Sequence, residues 1–402
     1  MVTDKTEEEL WKEQIEKVAL LITNSLVQVI LDDDFEDPVP EHTSVLTGDL
    51  YYHEVMDNPN VHNFRHVTRM DKTTFLRLLH ILKTEGNLSE GRIISAGEKI
   101  FILTRVLTAQ TTKEVAERFQ HSKSTIHDCV YETIVSTLRC KEYFMRQPEL
   151  GDPIHDRILK NPKYFPFFRN AVGCLDGTHV PAVVPVKFQD VFRNRKGWLS
   201  QNVLGVVDFD MMFTYILAGW EGQAHDGRVL SDAWSKGLQC PKGKYYLADA
   251  GYALSWETLT PYRGVRYHLK EWSLTTDSPQ TKEELFNYRH AQLRNVVERV
   301  YGVAEKRYPI LTRMQKWPID TQSNLVMVVS MWHNFIRRNT IFEEPEFYED
   351  LPDRNEFVTP GNHTPIPCTG RDDIAALNAW RDGIAQEMWD SYQAYKATRA
   401  NV

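Results

Sequence analysis

The chain has 402 residues, of which 42% are hydrophobic and 25% are charged, a balance typical of an ordinary globular protein of two or three domains. No apolar run approaches the ~20 residues of a membrane span, and the N-terminus is too acidic for a signal or transit peptide. We therefore expect an intracellular protein. Five cysteines without a CxxC spacing argue against a zinc ribbon and a disulfide framework.

The net charge of −8 is unevenly distributed along the chain. Residues 1–60 carry 3 basic and 15 acidic side chains, residues 61–342 carry 39 and 28, and residues 343–402 carry 5 and 12. A basic middle between acidic ends is typical of a protein that binds a polyanion through its centre. Scattered surface charge is the alternative.

The first part of the chain predicts helices separated by an acidic linker. Residues 6–31 place apolar side chains at helical spacing, and an acidic, proline-containing linker follows over 32–40. Residues 71–83 predict another helix, which begins at Asp71. We assign residues 1–60 to an acidic N-terminal helix and linker.

Residues 93–140 predict the order helix, helix, tight turn, helix. Thr111 and Glu114 form a capping-box pattern, and Gln120 and His121 form the turn. The start of the last helix exposes a short polar and basic set: Lys123, Ser124, Thr125 and His127. A helix-turn-helix presents such residues to phosphates and base edges, although many helix pairs bind no DNA. We assign residues 61–150 to a helical, helix-turn-helix DNA-binding domain.

Residues 171–184 predict a buried strand that delivers one carboxylate, Asp176, to its end, where Gly177 breaks it. A carboxylate in such a place must be paired, hydrogen-bonded or bound to metal. The alternative is an Asp that caps a turn beside Gly. Residues 202–208 and 212–219 predict a hairpin, and a later strand ends at Asp249.

A helix over 292–307 has one apolar face, and Glu298 lies on its flank beside Arg294. Alone, this glutamate would be read as a solvated side chain. The whole order of elements nevertheless resembles that of ribonuclease H-like nucleases and transposases. In that fold the first and fourth strands are neighbours, so their carboxylates converge, and a late helix brings a third.

Several segments resemble the DDE transposases of the PIF/Harbinger superfamily. They are CLDGTHVPA at 174–182, FRNRKGWLSQNVLGVVDFDMMFTYILAGWEGQAHDGRVL at 192–230, LADAGY at 247–252 and FNYRHAQLRNVVERVYGVAEKRYPIL at 286–311. The resemblance covers roughly 170–340 and extends weakly to the helical 65–140 stretch. It implies an α/β fold: an RNase H-like nuclease domain over 151–342, with a mixed sheet flanked by helices, after an all-helical N-terminal domain.

The resemblance also implies the site residues. Asp176, Asp249 and Glu298 match the catalytic acids, and Asp226 matches a further acid, so all four are candidate metal ligands. Topology favours Asp249 as the second core ligand, because its strand is the one expected beside that of Asp176, but Asp226 stays open.

The implied cofactor is a pair of Mg²⁺ or Mn²⁺ ions, since hard carboxylate oxygens select these metals. Two such ions ~3.5–4 Å apart activate the attacking oxygen and stabilise the leaving one. Three side chains could support the ligands without binding metal: His179, His225 and Arg294. Structural histidines are the alternative for the first two.

A basic cluster before the hairpin, formed by Arg193, Arg195 and Lys196, is interpreted as a phosphate-contacting loop. A solvated loop is the alternative. Residues 343–402 are assigned to an acidic tail with an amphipathic helix over 372–398. That helix either packs on its own core or serves dimerisation or partner docking.

The sequence therefore predicts a Harbinger-type DNA transposase that binds transposon ends, cleaves them with divalent metal ions and joins the 3′ ends to target DNA. We expect double-stranded DNA as substrate, a homodimer or larger assembly and no membrane association. The resemblance implies a Myb-like DNA-binding partner protein and a nuclear location, or a cytoplasmic one until the partner imports the chain. A domesticated host endonuclease and a non-catalytic DNA-binding scaffold are the alternatives.

Overall fold

A five-stranded mixed sheet lies at the centre of this computed structural model, which describes residues 41–267, 278–340 and 371–400. The strands are β1 (Ala171–Pro181), β2 (Ser200–Val207), β3 (Phe213–Glu221), β4 (Tyr245–Leu247) and β5 (Thr258–Leu259), in the spatial order β3-β2-β1-β4-β5. The first three strands pair antiparallel, whereas β1, β4 and β5 pair parallel. The predicted hairpin and the predicted adjacency of β1 and β4 are both confirmed.

The prediction that the first strand ends at Asp176 is wrong. β1 continues to Pro181, because β2 pairs with it along the whole stretch from Cys174 to Pro181. Gly177 does not break the strand, since it takes a regular place in that ladder opposite Leu204. Asp176 is therefore an internal strand residue, opposite Gly205.

In the described part of the chain, six helices of eight residues or more precede the sheet. They are α1 (Gly48–Asp57), α2 (Val61–Thr68), α3 (Lys72–Thr84), α4 (Ala96–Leu107), α5 (Thr112–Phe119) and α6 (Lys123–Arg139). The sequence analysis did not predict α1, which buries Tyr51, Tyr52 and Val55 and packs against α4. The helix predicted over 6–31 lies outside the described residues.

The turn between α5 and α6 forms as the sequence predicts. The Thr111 side chain accepts a hydrogen bond from the Glu114 backbone N–H, and the Glu114 carboxylate accepts one from the Thr111 N–H, which completes the capping box. Gln120 ends α5 in the left-handed region, at φ 57°. Ser122 then caps α6 by accepting from the Thr125 N–H.

The remaining helices frame the sheet. They are α7 (Lys141–Phe144), α8 (Asp156–Leu159), α9 (Gln189–Phe192), α10 (Asp226–Ser235), α11 (Lys282–Arg307), α12 (Ile319–Asn339) and α13 (Arg371–Ala400). Successive strand residues alternate between two cores: Cys174 packs with the apolar side chains of α11 and α12, and Leu175 with those of α10. Helices thus cover both faces of a mixed sheet, which is the predicted RNase H-like architecture.

The helical region and the sheet share a core. One hydrophobic cluster runs from the helices before residue 140 into β1, β2, β3, α11 and α12, and Leu46–Val402 form one compact unit. Asn334 of α12 helps to join them, because its amide accepts from the Phe213 N–H and donates to the carbonyls of Phe213 and Phe144. Among the described residues, no helix is long and apolar enough to cross a membrane.

Candidate active site

Asp176 lies within β1, whereas β4, the parallel neighbour of β1, ends at Leu247, two residues before the predicted end at Asp249. Cys174 of β1 is paired with Leu247 of β4, and each aspartate follows its paired residue by two positions. Because β1 and β4 run in the same direction, the two acids come to the same level of the sheet. The Asp249 carboxylate also accepts a hydrogen bond from the Gly251 N–H at 2.9 Å, which orders the short loop after β4.

Arg294 of α11 connects the third acid to the first. Its Nη1 donates to Asp176 Oδ2 at 2.8 Å, and its Nη2 donates to Glu298 Oε1, one helical turn further along α11. The side chains of Arg294, Asp176 and Glu298 are only 9%, 19% and 12% exposed. Glu298 is therefore part of an enclosed charge cluster, and its interpretation as a solvated side chain is excluded.

The electrostatics of Asp176 reflect this enclosure. Burial is the main cause that raises the pKa of Asp176 to about 7; Arg294 opposes this rise, and the nearby carboxylates of Asp249 and Glu298 contribute to it. The pairing of Cys174 with Leu247 brings Asp249 near Asp176, in agreement with its effect on this pKa. Three carboxylates from β1, the end of β4 and α11 thus share one site.

Asp226 approaches the same site from the start of α10. Asn202 of β2 donates a hydrogen bond to Asp226 Oδ1 at 3.0 Å. Burial raises the pKa of Asp226, and Asp249 adds to that rise, while the Asn202 hydrogen bond opposes it. Asp226 is therefore a fourth acid beside the cluster, and it stays a candidate metal ligand together with Asp249.

Gly177 makes room for Asp226 beside β1. A Cβ at this position would lie 2.8 Å from Asp226 Oδ1 and 3.3 Å from the Tyr252 hydroxyl. Only a residue without a side chain allows these two groups to approach the strand so closely. The glycine that follows Asp176 is thus needed for packing at the site.

Comparison with known proteins matches the segment that contains these acids. Residues 175–334 fit the family model described as the DDE superfamily endonuclease. This segment is therefore similar to a DDE superfamily endonuclease domain, and we refer to residues 175–334 as the DDE domain. The acidic cluster lies entirely within the matched segment, and the resemblance to Harbinger-type DDE nucleases is confirmed.

Two further comparisons extend beyond the DDE domain. Residues 43–139 match a family model described as a domain of unknown function. The protein named "Protein ALP1-like" from Arabidopsis thaliana is 24% identical over 325 residues, which cover 72% of this chain and 73% of that protein. No solved structure matches the chain.

The donor set of the DDE domain fits a divalent cation in chemical type. DDE endonuclease domains generally use divalent metals, and the cluster supplies only hard carboxylate oxygens, which suit Mg²⁺ and Mn²⁺. As arranged here, the described residues contain no group of three or more His, Cys, Asp or Glu side chains that could hold a metal ion. Instead, a guanidinium bonds to oxygens of Asp176 and Glu298.

The two histidines proposed to support the ligands lie at the rim of the site. His179 is exposed on β1, and its Nδ1 lies 3.0 Å from Ser200 Oγ. His225 immediately precedes α10, and its Nδ1 lies 2.8 Å from Arg195 Nη2. Both side chains are exposed and each has a hydrogen-bond partner, which the structural alternative also predicts.

The basic cluster lies in the exposed loop between α9 and β2. Arg193, Arg195 and Lys196 are all exposed, and the contact from Arg195 to His225 ties this loop to the start of α10, where Asp226 lies. Positive charge is thereby held beside the acidic cluster.

Of the four residues predicted to face DNA at the start of α6, Lys123, Ser124 and His127 are exposed and Thr125 is half-buried. Thr125 and Ser124 are engaged with the capping Ser122, because their hydroxyls lie 2.8 Å from its Oγ. The His127 ring lies against Trp317, with ring centroids 4.4 Å apart. These residues do not lie among the acids of the DDE domain.

Sequence reasoning missed three polar residues of the DDE domain: Asn202, Tyr252 and Tyr267. Asn202 bonds Asp226, and the Tyr252 hydroxyl is buried against Gly177 without a hydrogen-bond partner in the described part of the chain. The Tyr267 hydroxyl accepts from Arg294 Nε at 2.8 Å. Tyr252 ends the LADAGY motif and could have been noticed, but Tyr267 lies in no pattern that points to the site.

Proposed function

We propose that this protein is a metal-dependent DNA transposase of Harbinger type, which cuts phosphodiester bonds and joins 3′ ends to a target. The observation that supports the proposal is the enclosed pairing of Asp176 and Glu298 through Arg294, with Asp249 just beyond the strand beside that of Asp176, in a segment that matches a DDE endonuclease model. Enclosed carboxylates that repel one another form a poor structural core but a suitable cation site.

The chain's own residues would act in distinct ways. Asp176, Asp249 and Glu298, with Asp226 as a further ligand, would hold the divalent cations. When bound, such cations activate the attacking oxygen and stabilise the charge on the leaving oxygen. The loop with Arg193, Arg195 and Lys196 would hold the DNA backbone, because exposed cations beside an acidic centre can counter its repulsion of phosphates.

The start of α6 would provide a second contact with DNA. Lys123 and Ser124 are exposed there, and a capped helix N-terminus favours phosphate through its free N–H groups and its dipole. We extend the proposal to the implied assembly: a homodimer or larger species that holds two ends, with a Myb-like partner that aids end recognition and entry into the nucleus.

A plasmid assay tests the proposal. The full chain is incubated with supercoiled plasmid, oligonucleotide ends with free 3′-hydroxyls and Mg²⁺ or Mn²⁺, and both nicking and joining are measured. We expect Asp176→Asn, Asp249→Asn and Glu298→Gln each to lower the rates by at least about 10²-fold, the size of effect seen when one group that stabilises developing charge is lost.

The outcomes separate the possible activities. Joined products that depend on the acids support a transposase, and nicking alone would favour a host endonuclease. Asp128→Asn, on the exposed face of α6, is the matched control and should leave the rates unchanged. Activity that survives Asp176→Asn would come from a contaminant and would leave only a DNA-binding role.

A further inference from the structure

Each of the three nitrogens of the Arg294 guanidinium donates one hydrogen bond. Nη1 donates to Asp176, Nη2 to Glu298 and Nε to the Tyr267 hydroxyl. The side chain is 9% exposed, and the Tyr267 ring lies 6.0 Å from its guanidinium carbon. A buried arginine with every nitrogen engaged has a fixed position rather than a choice of rotamers.

The negative charges of the neighbouring carboxylates balance the positive charge of the guanidinium. A guanidinium stays protonated in proteins, and two carboxylates, those of Asp176 and Glu298, are bonded to this one. Arg294 therefore stays charged, and it offsets part of the repulsion between the carboxylates around it. The enclosed cluster already contains a resident cation that belongs to the chain.

The oxygens that Arg294 contacts are candidate metal ligands. A divalent cation shared by Asp176 and Glu298 would need the space that the guanidinium now occupies. It would also replace the guanidinium as the positive charge between the two carboxylates. Two cations a few ångströms apart in a poorly solvated site repel each other strongly. We infer that Arg294 is a resident counter-cation that competes with the divalent metal, so that metal binds between these two acids only after the guanidinium has moved away.

This inference rests on the proposed function and gives it a regulatory property. Tyr267 helps to hold Arg294 in place, because its hydroxyl accepts a hydrogen bond from Arg294 Nε, and it therefore affects how easily the guanidinium leaves. The affinity for the first divalent ion is then determined by Arg294 and Tyr267 as well as by the acids.

Mn²⁺ binding to the full chain, followed by the electron paramagnetic resonance signal of free Mn²⁺ in the absence of DNA, tests the inference. We expect Arg294→Gln to bind Mn²⁺ about tenfold more tightly than the unsubstituted chain, a usual size for coupling between two binding events. Tyr267→Phe should give a smaller rise, because the guanidinium keeps its charge and its acids. Asp176→Asn combined with Arg294→Gln should remove the gain.

Arg299→Gln is the matched control. It removes one positive charge from the same helix, one residue from Glu298, and should leave Mn²⁺ affinity unchanged if the bridging position of Arg294 is what matters. Circular dichroism checks that each variant is folded, and if Arg294→Gln fails to fold, Tyr267→Phe decides the question alone.

Two results would overturn the inference in different ways. Tight Mn²⁺ binding by the unsubstituted chain, with no gain in folded Arg294→Gln or in Tyr267→Phe, would contradict the competition but leave the proposed function intact. Absence of Mn²⁺ binding in the unsubstituted chain and in all variants would remove the proposed function together with the inference.

Discussion

Replacement of Asp176 by asparagine should stabilise the protein at neutral pH while it abolishes cleavage. Burial raises the pKa of this carboxyl from 3.8 to about 7. Between those two pH values the native state keeps a proton that the unfolded chain has lost, so the native state binds more protons. The free energy of unfolding therefore falls as the pH rises through this window and becomes level above it.

The size of the effect follows from the shift. About three pKa units at 1.36 kcal/mol each correspond to about 4 kcal/mol, of which about 2–3 kcal/mol develops between pH 5 and pH 8. The side chain keeps 19% of its exposure, which places the expected value at the lower end of that range. Asparagine does not ionise, so the free energy of unfolding of the variant does not fall for this reason as the pH rises.

Urea unfolding in EDTA at pH 5, 6, 7 and 8 measures the difference between Asp176→Asn and the unsubstituted chain. That difference should move by about 2 kcal/mol in favour of the variant from pH 5 to pH 8. Asp128→Asn, at an exposed position of α6, should show a difference that stays constant with pH. A constant difference for Asp176→Asn as well would refute the raised pKa and the enclosed acidic cluster on which it depends.

Three other substitutions test the packing around the site. Gly177→Ala should slow plasmid nicking and leave the circular dichroism spectrum unchanged, because the new Cβ would meet Asp226 Oδ1 at 2.8 Å; an unchanged nicking rate would contradict this. Tyr252→Phe should keep or raise the free energy of unfolding in urea, by up to about 1 kcal/mol, since it removes a buried hydroxyl without a described partner; a clear loss would reveal a hydrogen bond. Asn334→Ala should lower the free energy of unfolding by about 3 kcal/mol, because it leaves Phe213 N–H and C=O unpaired in the core; a loss below 1 kcal/mol would argue against that role.

Local patterns in the sequence predicted most of the elements. The capping box at Thr111, the turn at Gln120 and the β2–β3 hairpin depend on neighbouring residues and form as expected. The helix predicted over 292–307 is present but begins ten residues earlier, at Lys282, because Thr281 caps it by accepting from the Glu284 N–H. Periodicity identified that helix but not its start.

The contacts of the site depended on residues far apart in the chain. Arg294 and Glu298 are one helical turn apart, so their pairing could be read from spacing, but the bond from Arg294 to Asp176 joins residues 118 positions apart. The apolar stripe of α11 placed Glu298 on a flank and suggested exposure, whereas the sheet covers that flank. The position of Asp176 inside β1 was missed because a following glycine usually ends a strand. The glycine at position 177 is explained only by the space that Asp226 and Tyr252 take beside β1.

The contact between the His127 and Trp317 rings has a consequence for how a duplex would lie on the protein. Trp317 directly precedes α12, whose Asn334 is bonded to β3, so the start of α6 is braced against the element that supports the sheet. If a DNA duplex binds at Lys123, the distance along the duplex from that contact to the carboxylates would be fixed by the protein. The number of base pairs between the recognised sequence and the cut would then be fixed by the protein. Shortening the DNA between them by half a helical turn would turn the wrong side of the backbone toward the carboxylates.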